Sequence, residues 1–174
     1  MSKSENPFKL EKVSIRMVKD APLYSDKPFD MPYKAVEALG KSISDMDREV
    51  MCVINVNTKS VPINCSIVSI GTLNNCLVSP REILKSAILS NASGILLLHN
   101  HPSNDVTPSE QDLLMTKRMG YACDILGIDL LDHIIVGTDG ISFFSFHEHA
   151  LMPVMVEDKK QEAAICAAEQ NRAR

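Results

Sequence analysis

The run Ile95-Leu96-Leu97-Leu98 constrains the fold more than any other stretch of this chain. Four consecutive apolar residues without alternation are the pattern of a short strand buried on both faces. Its flanks carry helix signals. Before it, Ser79-Pro80-Arg81-Glu82 reads as a capping box with proline at N1, predicting a helix to about Ser90. After it, a polar loop over 102–106 leads to Thr107-Pro108-Ser109-Glu110, which repeats the pattern. That spacing predicts Thr107 as N-cap, Ser109 at N2 and Glu110 at N3 of a helix running to about Leu126 and closed by Gly127.

The remaining elements fit around this strand. Val50 to Val56 and Ile63 to Ile70 are β-rich and joined by Asn57-Thr58-Lys59-Ser60, which predicts a hairpin. Leu130 to Val136 and Ile141 to Phe146 predict a second hairpin around Thr138-Asp139-Gly140. Asp30 is placed to cap a helix from about Met31 to Ser44, whose Ala35, Val36, Leu39 and Ile43 share one face. At 174 residues the chain suits one domain with appended ends. Residues 1–29 read as a polar tail, a first strand at Val13 to Val18 and a linker. Residues 30–150 form the domain, and 151–174 a polar tail rich in Lys, Gln, Glu and Ala. The mixed order of strands and helices makes the fold α/β.

At its C-terminal end the buried strand delivers His99-Asn100-His101-Pro102. Histidines at i and i+2 of an extended segment point to the same side. Asp112, just inside the following helix, can turn back toward them. Two neutral imidazoles and one carboxylate are the ligand set of a catalytic zinc ion whose fourth position is left to water. Ser109 lies three residues before Asp112 on the same helix face and is placed to hold a developing oxyanion. A His-x-His pair alone is weak, as His147-Glu148-His149 illustrates: no carboxylate follows it at a useful place. Asp132 and His133 form another polar pair, inside an apolar strand, where a satisfied core histidine or a support behind the ligands suits them better than ligation.

A net charge of −4 and the absence of a polybasic run give no electrostatic reason to expect direct nucleic-acid binding. The cysteines Cys52, Cys65, Cys76, Cys123 and Cys166 are odd in number and form no Cys-x-x-Cys site. They read as free thiols of a reducing compartment. No signal core precedes the domain and no apolar run approaches the ~20 residues of a membrane span. A cytoplasmic protein is expected.

His99-Asn100-His101-Pro102 with Ser109 and Asp112 resembles the His-x-His-Pro…Ser-x-x-Asp signature of the JAMM (JAB/MPN) zinc metallopeptidases. Val78-Ser79-Pro80-Arg81-Glu82-Ile83, Gly71-Thr72-Leu73-Asn74 and Leu131-Asp132-His133-Ile134-Ile135-Val136-Gly137 are similar to the bacterial RadC-like branch, over about residues 30–147. The resemblance implies a single MPN/JAB-type domain, a mixed sheet flanked by helices in a cytidine-deaminase-like three-layer arrangement. It also implies a zinc-dependent hydrolase acting on a peptide, isopeptide or other amide, with a general-base glutamate on an early strand. Glu82 is read as occupied in its capping box, and Glu49, at the mouth of the Val50 strand, is taken as the base. Where the branch usually has glycine this chain has Asn104, which tolerates positive φ and should preserve the turn. An accessory role in DNA repair or mobile-element metabolism is the rival reading. The helix-hairpin-helix segment that often precedes this domain has no room here, which weakens it.

Overall fold

A computed structural model of the chain describes residues 17–18, 28–71 and 79–153. The apolar run becomes β3 (Gly94–Asn100), every residue of which is buried. It is the middle strand of a five-stranded sheet ordered β2-β1-β3-β4-β5, with β1 at Val50–Val56, β2 at Pro62–Ile70, β4 at Asp129–Val136 and β5 at Phe143–Ser145. β3 pairs antiparallel with β1 and parallel with β4. The parallel pair requires a crossover, supplied by the longest helix, α3 (Glu110–Leu126). The fold is therefore a single α/β domain with a mixed sheet flanked by helices.

Two cores hold it. On one face α1 (Pro32–Ser44) lays Ala35, Val36, Leu39 and Ile43 against Ile54, Leu96, Leu98, Ile134 and Val136. On the other, α2 (Pro80–Leu89) and α3 cover Met51, Val53, Ile95 and Leu97 with Ile83, Ala87, Met119 and Cys123. Burial on both faces explains why β3 and β1 carry no alternation of apolar and polar residues. β2, at the sheet edge, is only partly covered.

Several local expectations shift. Ser109, not Thr107, is the N-cap of α3: its hydroxyl accepts the Asp112 N–H, and the Asp112 carboxylate accepts the Ser109 N–H. Glu110 is therefore the first helical residue and not N3. Thr107 instead donates its N–H to the Asp105 carboxylate in the preceding turn. At α2 the backbone begins as expected, but no side chain caps it, because Glu82 turns outward to Lys85 at 2.8 Å. At α1 the N-cap is Met31, and Asp30 pairs with Lys34 one turn on. The last strand is shorter than its pattern: Asp139 captures the N–H groups of Ile141 and Ser142 and the Ser142 hydroxyl, drawing both residues into the turn. Gly127 closes α3 at φ 65°, and Asn104 adopts φ 63°, as expected. The strand expected at Val13 to Val18 lies outside the described residues except for Met17 and Val18, which are not in a strand. Residues 154–174 also lie outside them.

Candidate metal centre

The centre forms where β3 ends, the capped start of α3 returns and β1 begins. His99 is the penultimate residue of β3 and fully buried; His101 follows just beyond the strand. The α3 capping box fixes Asp112 at N3 and turns its carboxylate to both rings. Asp112 Oδ1 lies 3.2 Å from His99 Nε2, and Oδ2 lies 3.5 Å from His101 Nε2. Glu49, next to the first residue of β1, brings Oε1 to 3.8 Å from His99 Nε2. One donor atom from each of Glu49, His99, His101 and Asp112 lies within 4.8 Å of all the others. The four residues singled out from sequence as ligands and base are thus brought together. Ser109 stands beside them with its hydroxyl donating to Asp112 Oδ2 at 2.6 Å. His147 and His149 are exposed and outside the cluster.

The donor chemistry fits a divalent cation. His101 Nδ1 donates to the Asp105 carbonyl at 2.6 Å, which leaves Nε2 as its free nitrogen. His99 Nδ1 is likewise engaged, with His133 at 2.9 Å. The two Nε2 atoms face each other at 3.1 Å. Bare lone pairs at that separation repel, so a proton or a metal ion must share the space between them. The electrostatics agree. Burial disfavours charge on Asp112, but the His101 and His99 rings beside it and the Ser109 hydroxyl outweigh it. They hold the carboxyl well below the usual carboxylate range. Burial also opposes charge on His101, and the Asp112 carboxylate, the Asp105 carbonyl and Glu49 outweigh it, holding its pKa above the ordinary value. The His101 displacement reports the negative potential of Asp112 and Glu49, and the Asp112 displacement reports the imidazoles and hydroxyl gathered around its carboxylate.

The family model described as RadC-like JAB domain matches residues 29–151. The chain belongs to the RadC-like JAB family. Among curated relatives, a UPF0758 protein of Desulforamulus reducens is 47% identical over 97 residues, covering 56% of this chain and 43% of its own. One from Pelodictyon phaeoclathratiforme is 44% identical over 116 residues, covering 67% and 51%. A third, from Clostridium acetobutylicum, is 43% identical over 121 residues, covering 70% and 52%. The chain spans about half the length of the curated relatives it matches. In the RadC-like JAB domain described here, no helix among the described residues is long and apolar enough to cross a membrane.

Two residues with a place in this centre carry no readable sign in the sequence. Asn100, the middle of His-Asn-His, points away from the rings. Its Oδ1 accepts the Val50 N–H at 2.7 Å and its Nδ2 donates to the Arg48 carbonyl at 3.1 Å, clamping the backbone on both sides of Glu49. The Gly71 N–H donates to the Glu49 carbonyl itself. Thr116, one turn beyond Asp112, is buried beneath the site and bonded to His133. His133, fully buried, stacks on Phe146 with ring centroids 4.7 Å apart. Burial and the neighbouring His99 push its pKa well below the ordinary value, so it is a neutral imidazole behind the cluster. Asp132 faces elsewhere: it accepts the N–H groups of His133 and His147 and the Ser145 hydroxyl, joining β4 to β5.

Proposed function

We propose that this domain is a zinc-dependent hydrolase that cleaves a peptide, isopeptide or related amide bond in the cytoplasm. The observation that carries the reading is the meeting of two Nδ1-anchored imidazoles 3.1 Å apart with the Asp112 carboxylate, while a second carboxylate, Glu49, stands at their edge. A zinc ion held by His99, His101 and Asp112 would lower the pKa of a water to about 7 and polarise a substrate carbonyl. Glu49 is suited to take the proton of the attacking water and return it to the leaving amine. Its side chain is 19% exposed, so it reaches substrate without sitting free in bulk water. Ser109 donates to the oxyanion by turning its hydroxyl proton away from Asp112 Oδ2, which keeps the Ser109 N–H at 2.8 Å. The capped helix therefore survives that rotation.

The test begins with metal. Protein purified from zinc-supplemented culture should carry about one zinc per chain, and His99→Ala should carry none. Glu49→Gln should keep its zinc and lose turnover in a panel of peptide and isopeptide substrates. Zinc-free wild-type protein from that culture would end the proposal. The accessory reading makes the opposite forecast in a low-salt gel shift, where a tight, salt-sensitive DNA complex would favour it.

A further inference from the structure

Behind the ligands runs a chain of hydrogen bonds whose direction is fixed at one end. Thr116 Oγ1 lies 2.7 Å from the Asp112 carbonyl. A carbonyl only accepts, so the single hydroxyl proton of Thr116 is directed there. His133 Nδ1 lies 2.6 Å from the same hydroxyl and must therefore donate to it. With its proton on Nδ1, neutral His133 presents a bare Nε2. His99 Nδ1, 2.9 Å from that bare nitrogen, must in turn donate. Nε2 of His99 is then left bare, 3.2 Å from the equally bare Asp112 Oδ1, so the relay ends on two acceptors that face one another. Asp112 enters twice, once by its backbone and once by its carboxylate. The opposite polarity would set the Thr116 oxygen against the Asp112 carbonyl with no proton between them.

We infer that Thr116 and His133 are positioning residues that lock the proton of His99 on Nδ1 and so present its Nε2 to the metal centre. Thr116 sets the polarity of the relay, and His133, enclosed and stacked on Phe146, transmits it. The purpose assigned to the relay rests on the proposed metal centre. The relay itself is a property of the protein without metal.

Thr116→Val keeps the shape of the side chain and removes the acceptor, whereas Thr116→Ser keeps the hydroxyl and removes a methyl. In competition titrations of the full chain against a chromophoric chelator, Val should weaken zinc binding about 10- to 100-fold, the usual effect of losing a partner behind a ligating histidine. Ser should bind like wild type. Long-range imidazole 15N spectra of the zinc-free protein should show His133 protonated on Nδ1 in wild type and Ser, with that preference lost in Val. Val binding like wild type, Ser falling as far as Val, or wild-type His133 protonated on Nε2 would each overturn the inference. If wild type binds no zinc, the hydrolase proposal falls and the 15N spectra alone still decide the relay.

Discussion

On the proposed function, single side chains divide into those that would hold a cation and those that would move a proton. Glu49→Gln removes the proton acceptor and leaves His99, His101 and Asp112 in place. Turnover on any substrate found should fall by about 10² to 10⁴, with zinc content unchanged by metal analysis. Asn100 acts on the same step through the backbone. Asn100→Ala strips partners from the Val50 N–H and the Arg48 carbonyl, costing about 1–3 kcal/mol in urea unfolding for a buried group left unpaired. It should lower turnover more than zinc affinity, since Glu49 loosens while the ligands do not. The clustering of His99, His101 and Asp112 was legible because all three lie within one short stretch whose strand, turn and helix start are each locally encoded. Glu49 was not legible from spacing: it is fifty residues from His99, and only the family resemblance pointed to it. The N-cap of α3 was misjudged because two overlapping capping boxes fit the sequence. Ser109–Asp112 prevails because its carboxylate accepts both the N–H and the O–H of Ser109 while still facing the rings.

Among elements, the telling contact is the one between α1 and the β4–β5 turn. Gly40 of α1 and Gly140 of the turn press backbone to backbone; a Cβ on Gly40 would lie 2.7 Å from the Gly140 carbonyl oxygen. Alanine is the better helix former by about 1 kcal/mol, yet forcing this contact apart costs about 1–3 kcal/mol. Gly40→Ala should therefore be net destabilising by up to about 2 kcal/mol in urea unfolding. Zinc binding should be spared, because α1 covers the sheet face opposite α3. A helical pattern shows which face of α1 is apolar, and that reading of Ala35, Val36, Leu39 and Ile43 holds in the structure. It does not show that a glycine in mid-helix marks the place where a turn a hundred residues away must fit. Asn104 shows the same limit from the other side. Positive φ was foreseeable, but its Oδ1 also accepts the N–H and hydroxyl of Thr138, tying the ligand loop to the β4–β5 turn as glycine cannot.

For the molecule as a whole, acidity acts through the buried Asp132. Burial raises its pKa above the ordinary 3.8, and the Ser145 hydroxyl and the two backbone N–H groups offset this only in part. A folded state that holds this proton more tightly than the unfolded chain gains stability below pH 3.8, and loses it as pH rises through the folded pKa. Asp132→Asn carries no such loss. Its stability relative to wild type in urea unfolding should therefore improve as pH rises above 3.8 and level off once the folded pKa is passed, and a difference that stays constant as pH rises above 3.8 contradicts the assignment. The fold class was readable because binary patterning reflects layers: unbroken apolar strands in the middle, a partly covered one at the edge. The proposed ligands and the relay behind them come from β3, the turn just after it, α3 and β4, whereas Glu49 stands at the entrance of β1 on a backbone held by Asn100. Under the proposed function, chemistry and ion capture thus have separate genetic addresses. If the domain is the proposed hydrolase, one codon change at position 49 would leave a fully assembled but silent pseudoenzyme, and a census counting only histidines and aspartate would score it as living.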